Sequence, residues 1–285
     1  MDLLSQLNRA MAFVEEHICD DLALADVCAV TAYSAYHFGR LFYYIAEVPL
    51  SEYLRRRKLS LAAMELQGGR ARVLDLAVKY GYDSADSFTR AFVRQHGITP
   101  TAARIAGATL KIFSPLVFHI KIRGVQEMNW RIEQKEAFDM FGIERIFKNE
   151  ESENIPAFWD EAYRDGSSAR LCKQAGRNDL MGLCGHVDAS ANEFPYMICL
   201  PAGKDCDTHG FKTVRVPEAA WAVFRSEEMD TNAYGGKIPG LFQRAYSEWL
   251  PSSGYDKAPS PDMEIYGVTG GGKYFEEVWI PVLKK

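Results

Sequence analysis

The feature that most constrains this chain is an internal repeat within its first hundred residues. When the sequence is shifted by 50 positions, six of nineteen consecutive residues are identical without a gap, well above what chance gives. The identical pairs are Leu24 and Leu74, Ser34 and Ser84, Ala35 and Ala85, Phe38 and Phe88, Arg40 and Arg90, and Phe42 and Phe92. One structural unit therefore occurs twice in this part of the chain.

Each copy has the pattern of two short helices joined by a tight turn. Apolar stripes mark the first helices, namely Leu22, Leu24, Val27 and Cys28 in one copy and Val73, Leu74, Ala77 and Val78 in the other. Asp21 is the predicted N-cap of the earliest helix, and Ser34 and Ser84 are the predicted N-caps of the second helices. In the second copy Gly81 supplies the turn and Gly97 ends the last helix. This is the helix-turn-helix pattern, whose second helix enters the major groove of DNA.

A longer helix is predicted between the two copies. It begins at Pro49 and Ser51, runs over residues 51–67 and ends at Gly68 and Gly69. Such a helix is about 24 Å long. It can hold two recognition helices in successive major grooves, which lie about 34 Å apart. One chain is then sufficient to read two DNA segments, although the spacing does not forbid a dimer.

Charge is distributed unevenly along the chain. The formal net charge is −5 over 285 residues. Residues 31–106 hold 11 basic and 6 acidic side chains, whereas residues 1–30 hold 1 and 6, and residues 107–285 hold 21 and 26. The positive charge lies where a phosphate-binding surface needs it.

Composition excludes several classes of protein. No window has the roughly 18 apolar residues of a membrane span, and the acidic N-terminus lacks the apolar core of a signal peptide. The six cysteines contain no C-x-x-C pair. We therefore expect a cytoplasmic protein with reduced thiols and no membrane partner.

The first hundred residues resemble a known family of regulators. The matching stretches are Leu24–Phe42, Glu52–Ala63, Leu76–Ser84, Phe88–Phe92 and Gly97–Pro100. They resemble the DNA-binding domain of AraC/XylS-type activators. The resemblance implies an all-α DNA-binding domain over residues 1–106, binding to double-stranded promoter DNA, and control of transcription, usually activation through contact with RNA polymerase. Activation and repression both stay open.

The positions that match the family's two recognition helices predict which side chains contact DNA. They are Tyr36, Gly39 and Arg40 in the first recognition helix, and Ala85, Asp86, Ser87 and Arg90 in the second. Arg40 and Arg90 can each contact a guanine or a phosphate, or else form a surface ion pair. The basic run 55–58 is either a DNA clamp or a structural surface that pairs with Glu52 and Asp75.

From about residue 107 the pattern changes to short, β-rich segments. Predicted strands cover 130–134, 138–146, 180–187, 194–200, 211–217, 220–226, 262–267 and 274–283, and predicted helices cover 155–164 and 238–250. The order strand, strand, helix, strand, strand therefore occurs twice. It predicts an α+β domain of two similar halves over residues 129–285, with an antiparallel sheet and helices on one side, after a linker over 107–128.

Catalytic spacings are absent from this part of the sequence. There is no Gly-rich phosphate loop, H-E-x-x-H or G-x-S-x-G motif. Gly270–Gly272 is most simply a turn, and His186 and His209 are isolated. We therefore expect no enzyme activity, no metal and no cofactor.

The last two strands suggest a site for an organic cation. Alternation puts Val278, Ile280 and Val282 on the core face of the last strand, and Phe275, Glu277 and Trp279 on a second, non-core face. In the preceding strand Glu264 and Tyr266 lie together. A carboxylate flanked by aromatic rings offers an ion pair and cation–π attraction. The alternative is two glutamates that face solvent.

A second resemblance covers residues 129–285. Its motifs are Arg131–Glu133, Ala137–Phe138, Gly142–Ile143, Val216–Phe224 and Glu277–Val282, and they look like the gyrase-inhibitor-like effector domain. The resemblance implies binding of a lipophilic, often cationic, compound between the halves, with a glutamate as counter-charge. Either Glu264 or Glu277 can take that role, and the aromatic candidates are Trp221, Tyr266 and Trp279.

Three hypotheses for the whole chain follow. The first is a one-component transcription regulator whose C-terminal domain senses a small molecule. The second makes that domain a hydrolase or a sequestering domain for a reactive compound. The third makes it only an interaction surface. Ligand-induced stabilisation and ligand turnover distinguish the three.

Overall fold

The computed structural model describes residues 3–31, 33, 35–69, 71–105, 107–118, 128–148, 154–185, 193–203, 206–230 and 236–285, with the backbone alone for 35–37. The predicted cap Ser34, the side chain of Tyr36 and the isolated His186 lie outside the described residues. The chain divides into two compact units: residues 1–32 with 48–119, and residues 33–47 with 120–285.

Helices build most of the first unit. They are α1 (Leu3–Glu16), α2 (Leu24–Ala29), α4 (Leu50–Gln67), α5 (Val73–Lys79) and α6 (Ala85–His96), followed by a 3₁₀ turn over Ala102–Arg104. The apolar side chains of α4, α5 and α6 form one core, which includes Leu59, Leu66, Leu76, Phe88 and Phe92. The prediction of the connecting helix is confirmed, and α6 begins and ends as predicted: Ser84 Oγ accepts a hydrogen bond from Ser87 N, and Gly97 has φ 77°.

Two local predictions in this unit are wrong. Leu74 and Val78 are 58% and 70% exposed, whereas Leu76, Ala77 and Tyr80 are buried. A stripe at 73, 76, 77 and 80 follows the 3.6-residue period better than the predicted one. Helix α2 begins after Ala23 rather than Asp21, because the Asp26 side chain accepts a hydrogen bond from Ala23 N at 2.9 Å.

The segment after α6 packs against the first unit as an extended chain. Phe113 N donates to Ser60 Oγ (3.0 Å) and Leu116 N donates to Tyr53 Oη (3.0 Å). Farther along, Phe118 N donates to the Asn8 side chain (2.7 Å). The described part of the predicted linker, residues 107–118, is therefore anchored to α1 and α4.

One antiparallel sheet forms the centre of the second unit. Its strands are β1 (Trp130–Lys135), β2 (Phe138–Lys148), β3 (Met181–Cys184), β4 (Glu193–Pro201), β5 (Lys212–Val216), β6 (Ala219–Arg225), β7 (Tyr255–Lys257), β8 (Asp262–Val268) and β9 (Tyr274–Lys284). The order is β1-β6-β9-β8-β3-β4-β2-β5, with β7 paired to β9. The first strand of each half pairs with the other half at the edge of the sheet: β1 pairs with β6, and β5 pairs with β2. The two halves also meet at the centre, where β3 pairs with β8. All eight predicted strands are present, and among the strands of the described residues only β7 was not predicted.

The helices of the second unit cover one face of this sheet, which we call the helix face. Helices α7 (Ile155–Arg164) and α8 (Ser167–Ala175) lie on the first half, where Phe158 and Leu171 pack against Tyr196. Helix α9 (Ile238–Arg244) continues through a π-helical turn, Ala245–Trp249, whose Trp249 contacts Phe224 on the second half. The predicted fold class is confirmed, and α8 is an additional helix.

Helix α3 (Ala35–Ala46) belongs to the second unit, although the predicted domain boundary placed it in the first. It has the same length as α6 and lies 50 positions before it, as the repeat requires. No helix in the described part of the chain is long and apolar enough to cross a membrane.

Candidate DNA-reading helices and effector site

Helix α6 presents the predicted DNA-contacting side chains at the surface of the first unit. Asp86 and Arg90 are exposed, whereas Ala85 and Ser87 are partly buried, and Ser87 takes part in the N-terminal cap with Ser84. Arg94 is exposed one turn after Arg90 and extends the same basic row. Arg94 was not among the predicted contacts, although its four-residue spacing from Arg90 was a sufficient signal.

The basic run on α4 is held by carboxylates within the first unit. Glu52 pairs with Arg55 (2.7 Å) and with Arg56 (2.5 Å). Arg57 is buried and pairs with Glu15 at 2.5 Å. Burial raises the pKa of Glu15, but hydrogen bonds from Arg57 and Tyr53 outweigh burial, so that the pKa is lowered overall. Three of the four basic residues therefore have a structural role.

Glu264 lies buried at the centre of the helix face. Its strand neighbour Asp262 pairs with Cys184, which in turn pairs with Tyr196 across the sheet. Glu264 Oε2 accepts hydrogen bonds from Tyr196 Oη (2.7 Å) and Tyr266 Oη (3.0 Å). Burial raises the pKa of Glu264, opposed by the positive charge of Arg40 and by the two tyrosine hydrogen bonds. The carboxylate is thus oriented by neutral donors in a dry environment.

Gly182 leaves room for this arrangement. It pairs with Glu264 across β3 and β8. A Cβ at position 182 would overlap Tyr196 Oη and lie 2.7 Å from Glu264 Oε2. Only glycine therefore allows the tyrosine and the glutamate to meet over this strand.

A cation occupies the space beside Glu264, and it comes from α3. Arg40 is only 8% exposed. Its Nε lies 3.2 Å from Asp262 Oδ2 and its Nη2 lies 4.0 Å from Glu264 Oε1. The guanidinium carbon lies 4.3 Å from the centroid of the Phe242 ring. We call Tyr196, Phe242, Asp262, Glu264 and Tyr266 the acidic–aromatic cluster.

Other groups complete the surroundings of Arg40. Its Nη1 donates to Cys184 Sγ at 2.8 Å, and burial raises the pKa of that thiol to about 12, so that the sulfur is neutral. Asp262 also accepts a hydrogen bond from Tyr246 Oη (2.9 Å) and pairs with Lys257 (3.2 Å). Asp262 therefore has polar partners besides Arg40. For Glu264, Arg40 is the cation in the described ion pairs.

Glu277 lies on the opposite face of the sheet, and its charge is matched there. Arg131 Nη1 donates to Glu277 Oε1 at 2.9 Å, and Trp279 Nε1 donates to Oε2 at 2.8 Å. Trp221 is fully buried, with its ring 6.2 Å from that of Trp279. The predicted alternation along β9 is confirmed, but the expectation of a non-core face is wrong. Both faces of the strand are buried, because Trp221, Trp279 and Met263 belong to a second core.

The sheet therefore separates the predicted effector residues into two groups. Glu264 and Tyr266 lie on the helix face, and Glu277, Trp279 and Trp221 lie on the opposite face. In the first group the cation, Arg40, comes from a helix outside the sheet, whereas in the second group Arg131 lies on β1 of the sheet itself.

Comparison with known proteins connects both units to described families. Residues 131–282, more than half of the chain, match a family model described as an integron-associated effector binding protein. Residues 27–105 match a helix-turn-helix domain. The HTH-type transcriptional activator AarP of Providencia stuartii is 35% identical over 102 residues, which cover 36% of this chain and 76% of AarP.

The chain belongs to the AraC family of transcription regulators and carries an effector-binding domain. Regulatory protein SoxS of Escherichia coli K12 is also similar, at 35% identity over 94 residues, 33% of this chain and 88% of SoxS. Among solved structures, SAV2435 bound to tetraphenylphosphonium covers 55% of this chain and 94% of its own, at 19% identity and a TM-score of 0.45.

Part of the acidic–aromatic cluster was not among the predicted site residues of this AraC-family regulator. Asp262 was detectable, because alternation places it on the same face as Glu264 two residues later. Tyr196 and Phe242 were not, because β4 and α9 reach the cluster only through the sheet order and the helix packing.

Proposed function

We propose that this AraC-family regulator controls promoter activity in response to an organic cation that binds at the acidic–aromatic cluster, with Glu264 as the counter-charge. The observation that carries the proposal is the guanidinium already held there between a carboxylate pair and an aromatic ring. A buried carboxylate is costly without a positive partner, and an aromatic ring attracts a desolvated cation. Glu277 is paired more closely, since Arg131 Nη1 lies 2.9 Å from its Oε1, whereas Arg40 Nη2 lies 4.0 Å from Glu264 Oε1.

In the same proposal, α3 and α6 read the promoter. Tyr36 and Arg40 act from α3, and Asp86 and Arg90 act from α6 with Ala85 and Ser87 at the helix entry. The relative AarP is named an activator, and we extend activation through RNA polymerase contact to this chain. We place the protein in the cytoplasm, where promoter DNA and RNA polymerase are present.

The glutamates can be distinguished by removing one charge at a time. Glu264→Gln is expected to lower the affinity for benzylguanidinium at least about tenfold, because a desolvated ion pair is lost. Affinity for benzylurea, a neutral molecule of the same shape, is expected to hold or improve. Glu277→Gln serves as the matched control and is expected to change neither ligand. Isothermal titration of the full chain measures all four values, and equal losses for both ligands would exclude a charge-based site.

The affinity for the cation is also expected to depend on pH. Burial raises the pKa of Glu264, so that its carboxyl takes up a proton at a higher pH than an ordinary glutamate. Affinity for benzylguanidinium is expected to be full above that raised pKa and to fall by about tenfold per pH unit below it, as proton and cation compete. Asp262, Lys257, Cys184 and the flanking tyrosines face the same space. Titrations at several pH values with wild type and Glu264→Gln check this, and an unchanged pH dependence in the variant would contradict it.

A further inference from the structure

We propose that α3 is an internal ligand of the effector site: Arg40 occupies the place of the cation, so that effector binding releases a DNA-reading helix. The inference rests on the proposed function, because it assumes that the acidic–aromatic cluster takes an organic cation. The inference adds that Arg40 competes with the effector for this cluster. It also states whether the effector strengthens or weakens DNA binding. An effector is then an activator of DNA binding rather than an inhibitor.

Two side chains of α3, and a third from the residue that follows it, contact the helix face. Arg40 lies beside Asp262 and over the Phe242 ring, as described above. One turn later, the Tyr44 ring stacks on those of Phe242 and Tyr246, with centroid distances of 5.1 and 5.8 Å. Directly after the helix, which ends at Ala46, Gln243 Nε2 donates to Glu47 Oε1 at 2.5 Å.

The spacing of these contacts shows a specific surface of the helix. Positions 40 and 44 are four residues apart, so that they lie on one side of α3, and Glu47 directly follows the helix with a left-handed backbone (φ 59°). Their partners include a carboxylate, two aromatic rings and an amide, all within the second unit. The set combines charge, stacking and hydrogen bonding, which is how a site recognises a particular ligand.

This placement excludes DNA reading by the same side chain. A base or phosphate contact requires Arg40 to reach the duplex, whereas here it is 8% exposed and surrounded by protein. Arg90, its counterpart in the repeat, is exposed on α6. The two recognition helices are therefore in different states: α6 is available for DNA and α3 is not.

An organic cation competes with Arg40 for the same carboxylates. When the cation binds, α3 loses its charge partner and becomes available to the duplex. Linkage makes this effect reciprocal: the cation strengthens DNA binding, and DNA strengthens cation binding by the same factor. A neutral molecule of the same shape has no advantage over Arg40 and is expected to have no effect.

The test uses the full chain and two equivalent substitutions. Arg40→Gln is expected to raise the affinity for benzylguanidinium by roughly tenfold, because the site no longer has an occupant to displace. Arg90→Gln, its counterpart in the second copy, is expected to weaken DNA binding while the cation affinity keeps its wild-type value. Isothermal titration with benzylguanidinium and benzylurea measures both.

DNA binding provides the second readout, on a duplex obtained by in vitro selection with the wild-type protein. Benzylguanidinium is expected to tighten wild-type binding several-fold, and benzylurea is expected to leave it unchanged. Phe242→Leu removes the ring under Arg40 and is expected to tighten DNA binding without any ligand. This variant keeps the proposal testable if Arg40→Gln does not fold.

The outcomes separate this inference from the proposed function. If the cation binds through Glu264 but Arg40→Gln has wild-type affinity and DNA binding ignores the cation, the internal ligand is overturned and the effector site stands. If neither wild type nor Arg40→Gln prefers benzylguanidinium over benzylurea, the proposed effector site itself fails. Tighter cation binding in Arg40→Gln together with cation-enhanced DNA binding supports both.

Discussion

Glu15→Ala is expected to lower the free energy of unfolding of the first unit by about 3 kcal/mol. Arg57 is 4% exposed, and its Nε and Nη2 donate to the two Glu15 oxygens at 2.8 and 2.5 Å. Without Glu15 the guanidinium stays buried beside neutral acceptors, among them the Phe113 carbonyl and the Tyr53 hydroxyl, and no longer has its carboxylate. An uncompensated buried charge is among the most costly defects that one substitution creates.

The matched control is Glu52→Ala on α4, the helix that carries Arg57. Glu52 pairs with Arg55 and Arg56, whose side chains are about a third exposed and are solvated when the pair is lost. The expected loss is about 1 kcal/mol or less. Urea unfolding followed by helical circular dichroism compares the two variants, and losses of equal size would show that the Glu15 pair is not a buried one.

The pKa of Glu15 gives this prediction a pH dependence. Because the pKa is lowered in the folded state, the pair contributes its full stability above the ordinary glutamate pKa and loses it as the pH falls through the lowered value. Wild type and Glu15→Ala are therefore expected to approach each other in stability toward acidic pH.

The basic run on α4 illustrates how far the sequence leads. The run itself predicts a DNA clamp and a structural surface equally well, because local sequence does not specify which basic residue is buried. Arg57 is the buried one because α1 packs there and places Glu15, 42 positions earlier in the chain, beside it. Such pairs depend on tertiary packing and leave no local pattern.

Periodic features were predictable for the opposite reason. The repeat fixed the positions of α3 and α6, and alternation fixed the eight predicted strands and the faces of β8 and β9. Alternation alone does not reveal what covers each face of the sheet. Glu264 and Glu277 were therefore equally good candidates for the counter-charge as long as only the sequence was considered. The order of the strands and the position of α3 separate them.

DNA binding by the full chain is expected to weaken about 10³-fold or more between 50 and 200 mM salt if about six or more phosphates are contacted, because each contact releases counterions.

Arg90→Ala is expected to cost about 1–3 kcal/mol of DNA-binding free energy if Arg90 contacts a base, and to reduce discrimination at that base pair. The exposed Asp86 on the same helix does not favour phosphate, so that Arg90 and Arg94 supply the positive charge of this surface. Fluorescence anisotropy at several salt concentrations measures both effects, and binding that ignores salt would contradict a phosphate-based interface.

The extent of the protected DNA tests both recognition helices at once. With α3 held at the acidic–aromatic cluster, hydroxyl-radical footprinting is expected to show strong protection of one major-groove segment, read by α6. Saturating benzylguanidinium is expected to add a second segment about 34 Å away on the same face of the duplex, because α3 then enters the neighbouring groove. Arg40→Gln separates release from reading: its α3 is free without ligand, yet the base contact of Arg40 is lost, so that the second segment appears with weaker protection. A second segment that is equally protected with and without the cation would mean that α3 reads DNA whether or not a cation binds. That result would contradict the release of α3 by the effector.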